Sequence, residues 1–182
     1  MIPRINNILY ATDLSENSAY AFRYALNSAE HHDADIHILH VLETRLFPVS
    51  PPAEEGTGNL YEGPLLVGKL EKLNDERKGL AKEKIRKRLE QFCEQELKDK
   101  PEGMKRVASI QVVEGDPAGT ILQIAEESKA DLVIMGTHSK GLLAHAFLGS
   151  VAESVLNRIK IPVFIIPLPE KTDIGFSDAK KP

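Results

Sequence analysis

One stretch of the chain joins an apolar run, two glycines and a helix start. The apolar run, Leu132 to Met135, ends at Gly136. Gly149 is followed by Ser150-Val151-Ala152-Glu153, and a serine followed three residues later by glutamate is the capping-box pattern that opens a helix. Glycine lets the backbone turn sharply and lets a ligand approach the main chain, and the free N–H groups of a first helical turn favour an anion. The stretch therefore predicts a strand, a phosphate-sized turn and a helix, which together form a nucleotide site.

The remainder of the chain alternates between strand and helix patterns. Apolar runs predict strands at residues 5–11, 36–41, 107–113, 131–135 and 161–166. Capping side chains precede the first and third helices, namely Asp13, Ser15 and Asn17 for the first and the sequence Gly115-Asp116-Pro117 for the third. This alternation predicts parallel strands joined by right-handed helical crossovers, with helices on both faces of one sheet.

The predicted second helix is long and highly charged. It covers about residues 70–97, and its apolar side chains recur on one face: Ala81, Ile85, Leu89, Phe92 and Leu97. Lysine, arginine and glutamate cover the other face, which is predicted to be solvated. Before this helix, residues 44–68 contain four prolines and four glycines, so an irregular loop is expected there.

Composition excludes several classes of protein. A length of 182 residues fits one domain, and the single cysteine, Cys93, cannot form an internal disulfide. No apolar run approaches the ~20 residues of a membrane span, and no charged leader with an apolar stretch precedes the first strand, so a cytoplasmic protein without membrane contact is expected. A net charge of -4 and the absence of tryptophan argue against nucleic-acid binding.

Metal and catalytic motifs are not found. The spacing of the histidines, Cys93 and the acidic residues matches no zinc site, and Cys93 is expected to be a helix packing residue. Gly136 and Gly141 have the spacing of a P-loop, but Leu142-Leu143 occupies the positions of the required Lys-Ser/Thr. The first strand lacks the Gly-x-Gly-x-x-Gly of dinucleotide enzymes, and no serine–histidine–aspartate arrangement indicates a hydrolase.

The glycine stretch resembles the nucleotide motif of the universal stress protein family. That motif is Gly-x2-Gly-x9-Gly-Ser/Thr, and here Gly136, Gly149 and Ser150 match, whereas Ser139 replaces the second glycine. The segment Ile8 to Ser15 and the segment Ile161 to Ile166 also resemble the first and last strands of the family. The resemblance covers the whole chain except an insertion near residues 44–68.

This resemblance implies an α/β fold, a flavodoxin-like or Rossmann-like three-layer sandwich with a five-stranded parallel sheet in the order 3-2-1-4-5. The domain would comprise residues 1–169, and residues 170–182 would form a disordered tail. A switch point would lie between the first and fourth strands, where ligands bind beyond the carboxyl ends. The segments Ala11-Thr12-Asp13 and Gly136-Thr137-His138 would then meet across one crevice.

The resemblance also implies a set of residues that bind ATP, with magnesium or manganese held through the phosphates. The candidates are Ala11, Thr12, Asp13, Val41, Met135, Gly136, Thr137, His138, Ser139, Lys140, Gly149, Ser150, Val151 and Ala152. Several have alternative roles: Asp13 and Ser150 as helix caps, Val41 in core packing, and Lys140 as an exposed loop residue.

The resulting functional expectation is a cytosolic stress-response sensor or regulator that binds an adenine nucleotide, with no catalytic residues. It would form a homodimer through the Ile161–Ile166 edge strand and act on a regulatory protein partner. The alternatives are a nucleotide-independent dimeric interaction module, which Ser139 favours, and a slow ATPase, for which only His138 offers a base. The segment 45–68 is interpreted as a lid over the adenine end or as a spacer that does not contact ligand.

Overall fold

A five-stranded parallel sheet forms the centre of the molecule in the computed structural model, which describes residues 2–15, 18–43, 63–137 and 148–167. In chain order the elements are β1 (Asn7–Ala11), α1 (Ser18–His32), β2 (Asp35–Glu43), α2 (Gly63–Glu96), a 3-10 helix (Pro101–Arg106), β3 (Val107–Gly115), α3 (Pro117–Glu127), β4 (Leu132–Gly136), α4 (Ser150–Leu156) and β5 (Val163–Ile166). The strand order is β3-β2-β1-β4-β5. The predicted fold and strand order are therefore confirmed.

The first strand lies in the middle of the sheet. Ile8 pairs with Ile36 of β2 on one side and with Leu132 of β4 on the other. All three side chains are fully buried. A strand with neighbours on both edges and helices over both faces must be apolar along its whole length, which explains the continuous apolar run in the sequence.

Two cores lie on opposite faces of the sheet, because successive strand residues point to opposite sides. On one face Tyr10 packs with Phe22 of α1 and Leu89 of α2. On the other face Leu9 packs with residues of α3 and α4, including Val155. Cys93 is fully buried in the first core, so the prediction of a packing role is confirmed.

Helix α2 begins earlier than the sequence pattern predicts. It starts at Gly63, so residues 63–68 of the predicted irregular segment are helical, and that part of the prediction is wrong. Pro64 is compatible with this start because the first turn of a helix does not use its own N–H groups. Residues 44–62 and the predicted tail lie outside the described residues. Ala81 is exposed, whereas Leu89 and Leu97 are buried as expected.

The structure confirms the predicted N-cap of α3 and contradicts the predicted N-cap of α4. The prediction for α3 is confirmed: an Asp116 carboxylate oxygen accepts a hydrogen bond of 2.7 Å from the Gly119 N–H, and Pro117 follows the cap. The prediction that Ser150 caps α4 in a capping box is wrong, because the N-cap of α4 is Gly149 and Ser150 is the first helical residue. The backbone of Gly149 is extended, and its carbonyl already accepts the Glu153 N–H at 2.9 Å, so the helix starts one residue earlier.

Within the described part of the chain, no helix combines the length and the apolar character needed to cross a membrane.

Candidate functional site

A cleft opens at the carboxyl ends of the strands. Its volume is about 660 Å³, and it lies where β1 and β4 diverge toward their different helices. This is the switch point of the sheet, where ligands of doubly wound folds bind. The lining residues come from β1 and α1 (Tyr10, Ala11, Thr12, Asp13, Ser15, Ser18 and Ala21), from β2 (Leu39, His40, Val41 and Glu43), from α3 (Pro117 and Ile121), and from β4 and α4 (Met135, Gly136, Thr137, Gly149, Ser150, Val151 and Ala152).

The structure brings the predicted residues that it describes to this one cleft. They are Ala11, Thr12, Asp13, Val41, Met135, Gly136, Thr137, Gly149, Ser150, Val151 and Ala152. The remaining three candidates, His138, Ser139 and Lys140, lie outside the described residues. The juxtaposition arises because β1 and β4 are neighbours and both end at the same edge. The role of these residues in binding stays a prediction.

The turn after β1 is held by its own side chains. The Thr12 hydroxyl accepts the Leu14 N–H at 3.1 Å, and an Asp13 carboxylate oxygen accepts the Ser15 N–H at 3.0 Å. Leu14 adopts a left-handed backbone with φ 58°. Asp13 therefore stabilises the turn itself rather than the first turn of α1, which begins at Ser18. Its side chain is exposed at the cleft wall.

The turn after β4 is closed at its base. The Thr137 N–H donates to the Ile166 carbonyl at 3.1 Å, and the Gly149 N–H donates to the Thr137 carbonyl at 2.9 Å. The residue that follows β4 and the residue that precedes α4 are therefore hydrogen-bonded to each other. As a result, the end of β4 and the start of α4 lie side by side at the cleft.

The two motif glycines are not needed for backbone conformation. Gly149 is extended with φ −60° and ψ 148°, which any residue can adopt, and Gly136 ends β4 outside the left-handed region. Gly136 thus needs no left-handed backbone, and the sharp turn predicted after it continues into residues 138–147, outside the described residues. A Cβ built on Gly136 would meet no atom within 4 Å, so its hydrogen borders open space at the cleft wall. The free space beside the strand end is what the glycine provides.

The sequence reasoning missed His40 as a cleft residue. Its Nδ1 lies 2.8 Å from the carbonyl oxygen of Thr12. A carbonyl only accepts, so Nδ1 carries a proton, and in the neutral ring Nε2 is an acceptor. The contact joins β2 to the turn after β1. The sequence could have indicated this role, because His40 stands beside the candidate residue Val41 near the end of an apolar strand.

Tyr10 was also missed. Its hydroxyl donates to the Ser18 carbonyl at 2.7 Å and so connects β1 to the start of α1. Burial raises the pKa of the Tyr10 phenol well above its ordinary value, so the group remains a neutral donor. Helix α3 also lines the cleft, through Pro117 and Ile121. The sequence could have indicated this, because the predicted cap at Asp116 follows a parallel strand that ends at the same edge of the sheet.

The charged side chains on the described cleft wall are acidic. Asp13 and Glu43 line it, and no lysine or arginine does so among the described lining residues. Polar contacts for an anion on these walls are therefore backbone N–H groups such as that of Ser150 and hydroxyls such as that of Thr137. Over the described ranges, no cluster of three or more His, Cys, Asp or Glu side chains is arranged to hold a metal ion.

Comparison with known proteins identifies the family. A sequence profile of the Universal stress protein family matches residues 4–167. Universal stress protein MJ0531 of Methanocaldococcus jannaschii is 34% identical over 164 residues, which cover 90% of this chain and 83% of that protein. Universal stress protein MJ0577 of the same organism is 30% identical over 159 residues, covering 87% of this chain and 93% of that protein.

Solved structures show the same fold. The structure of MJ0577 has a TM-score of 0.66 at 25% identity and covers 92% of this chain and 99% of its own. A universal stress protein solved in complex with cAMP has a TM-score of 0.51 at 18% identity, with coverage of 91% and 98%. The family profile spans all ten elements of the structure, including both sides of the cleft, and the chain belongs to the universal stress protein family.

Proposed function

We propose that this protein binds ATP, or a related adenine nucleotide, in the cleft at the switch point and acts in the cytoplasm as a sensor or regulator. The observation that carries the proposal is the meeting of the β1 and β4 ends with the start of α4 around a space of about 660 Å³. That volume lies within the roughly 300–1,000 Å³ of small-molecule sites.

The residues on the cleft walls are compatible with the two ends of a nucleotide. The adenine and ribose would lie against Asp13 and the Val41 backbone, as the family resemblance implies. The phosphates would lie beside Gly136, where a Cβ would meet open space, and near the first-turn N–H groups of Ser150 and Val151. Magnesium or manganese would accompany the phosphates as their counterion.

Binding of phosphorylated adenosine is also supported by the relative solved with cAMP. That protein is 18% identical to this chain, and the likeness is one of fold alone. ATP hydrolysis would be weak at most. The Asp13 carboxylate supports its own turn, and the Nδ1 proton of His40 is directed at the Thr12 carbonyl, so among the described lining residues the His40 Nε2 is the one imidazole acceptor and has no carboxylate behind it.

A nucleotide-independent dimeric module is the second candidate. Two observations favour it: Ser139 departs from the family motif, and the described cleft walls carry acidic but no basic side chains. In this case the cleft would remain without nucleotide, and function would reside in the dimer.

Calorimetric titration with ATP and magnesium distinguishes the two candidates. We expect heat of binding and a thermal shift at millimolar nucleotide, and ATP released by acid from the purified protein. In the Gly149→Val variant, the added side chain should fill the phosphate space and abolish binding while the fold is kept. An absence of heat, thermal shift and retained nucleotide in the natural protein would leave the interaction module.

We also propose a homodimer through β5. This strand is at the edge of the sheet, and Phe164 is 45% exposed although it lies in an apolar strand. Pairing with a symmetry mate would cover the unpaired edge. Light scattering should give a dimer mass at micromolar concentration for the natural chain and a monomer mass for Phe164→Glu. A monomer mass for the natural chain would rule the dimer out.

A further inference from the structure

Helix α2 carries a concentration of positive charge that is opposite to the charge of the chain. Between Arg77 and Arg88 there are seven basic residues and one acidic residue, Glu83, a net charge of +6. The chain has a net charge of -4, so the rest of it carries −10. The basic residues are Arg77, Lys78, Lys82, Lys84, Arg86, Lys87 and Arg88. Such asymmetry creates a local field that attracts an anionic partner.

Four residues of this segment form a line along the exposed side of the helix. Arg77, Leu80, Lys84 and Arg88 follow one another at steps of three or four, which places them on one face. All four are exposed, and Leu80 is 73% exposed. We refer to these four residues as the α2 stripe, which is roughly 16 Å long at about 1.5 Å per residue.

The charges of the stripe are not neutralised within the described ranges of the chain. Lys78 and Lys82 both pair with Glu114 of β3, the first at 2.9 Å. The other two basic residues of the segment have partners four residues away on the helix: Arg86–Glu90 and Lys87–Glu83. Arg77, Lys84 and Arg88 have no such ion pair among the described residues. Among the described residues, the stripe thus combines three cations that have no ion pair with an exposed leucine.

We propose that the α2 stripe is a docking surface for an acidic helix of another protein. An apolar side chain flanked by charges at one-turn spacing is the pattern by which two helices pack and select each other. The matching helix has an apolar side chain that packs on Leu80 and carboxylates one turn to either side. The proposal is separate from nucleotide binding, because no residue of the stripe lines the cleft.

The shape of the charge distribution favours a helix over a larger anionic surface. A nucleic-acid duplex or a lipid membrane extends well beyond a stripe of roughly 16 Å. It would therefore also face the remainder of the molecule, which has a net charge of −10 and would repel it. A single acidic helix can follow the stripe without covering that remainder.

The test uses the full chain and a synthetic peptide of about 20 residues, rich in glutamate and alanine, with leucine at steps of three and four. Nuclear magnetic resonance titration should shift the amide signals of residues 77–88. The triple variant Arg77→Glu, Lys84→Glu and Arg88→Glu should lower the affinity about tenfold or more. Leu80→Ser, which changes no charge, should lower the affinity severalfold.

A matched control separates position from net charge. Lys98, Lys105 and Lys160 are exposed residues outside the stripe, and changing all three to glutamate alters the net charge by the same amount. This control should keep most of the peptide affinity. The proposal is overturned if the peptide shifts no signal in α2, if both triple variants lose affinity equally, or if phosphatidylserine vesicles or duplex DNA bind to the stripe and the peptide does not.

Discussion

The two ends of the sheet are built differently. At the amino end, bonds connect separate strands: one carboxylate oxygen of Asp131 accepts the N–H groups of Asn6 at 2.7 Å and Asn7 at 3.0 Å. The His37 ring lies 2.9 Å from the Ser109 hydroxyl and so connects β2 to β3. These contacts join distant parts of the sequence and close this end.

At the carboxyl end, the side chains of the β1 turn itself bond locally, and one long-range contact, from the His40 ring to the Thr12 carbonyl, joins the turn to β2. Thr12 and Asp13 each bond to a backbone N–H two residues later, and the strand ends diverge into the cleft. A turn that stabilises itself does not need to pack against the opposite turn, so space can remain between them. The difference indicates that stability is concentrated at the amino end of the sheet, whereas the proposed ligand site lies at the carboxyl end.

The largest expected effect is on nucleotide affinity at the carboxyl end. Gly136→Val places a side chain in the open space beside β4, where no atom lies within 4 Å of the Cβ. The fold should be kept, and ATP affinity should fall by roughly ten- to a hundredfold, since overfilling a site costs about 1–3 kcal/mol. Calorimetric titration measures the change.

Gly79→Val is the matched control for this substitution. Gly79 lies in α2, its Cβ would also meet no atom within 4 Å, and it does not line the cleft. ATP affinity should therefore be unchanged. Equal losses in the two variants would contradict the assignment of the phosphate space to Gly136.

The next effect is on stability at the amino end. Asp131→Ala removes the acceptor of two backbone N–H groups and should lower the free energy of unfolding by about 2 kcal/mol. Asp131→Asn keeps a neutral acceptor and should cost less. Urea unfolding gives both values, and ATP affinity should not change in either variant. A loss of affinity in Asp131→Ala would show that the two ends are coupled.

A smaller effect is expected from Tyr10→Phe. The substitution removes the hydroxyl that donates to Ser18 at 2.7 Å and should cost about 1 kcal/mol of stability. Tyr10 lies at the cleft and also in the core, so this variant tests whether a loss of core stability affects the proposed nucleotide site. Thermal unfolding with and without ATP should show a lower midpoint and an undiminished shift on binding.

The smallest effect is a dependence of stability on pH. Burial raises the pKa of the Cys93 thiol from 9.0 to about 12. The unfolded thiol ionises first, so the contribution of Cys93 is complete well below pH 9 and is lost progressively as the pH rises through 9 toward about 12. At pH 9 the loss is about 0.4 kcal/mol. Relative to Cys93→Ala, the natural chain should lose stability more steeply above pH 8.5 in urea unfolding, and equal slopes would contradict the assignment.

The class of fold could be predicted from the sequence because its signals are local. Apolar runs marked all five strands, and Asp116 with Pro117 marked the start of α3. Strand order could not be obtained in this way, since the same alternation fits several orders. It came from the resemblance carried by Gly136, Gly149 and Ser150, and the structure confirms it.

The details of the site depended on contacts that no local pattern contains. Gly149 and Ser150 compete for the cap of α4, and Gly149 takes it with an extended backbone whose carbonyl accepts the Glu153 N–H, while its own N–H bonds to the distant Thr137 carbonyl. His40 enters the cleft through its bond to Thr12, 28 positions away in the chain. Such contacts arise only when strands from different parts of the chain are placed side by side.

The central position of β1 also governs how the chain is assembled during synthesis. Strands β1, β2 and β3 can pair as soon as residues up to Gly115 have been made, but β4 follows only at Leu132. Until then one edge of β1, with Ile8 and Tyr10, has no neighbouring strand. Long-range parallel pairing of this kind is slow and leaves unpaired edges open to aggregation. The nascent chain therefore carries one edge of its central strand unprotected until most of its residues have been translated.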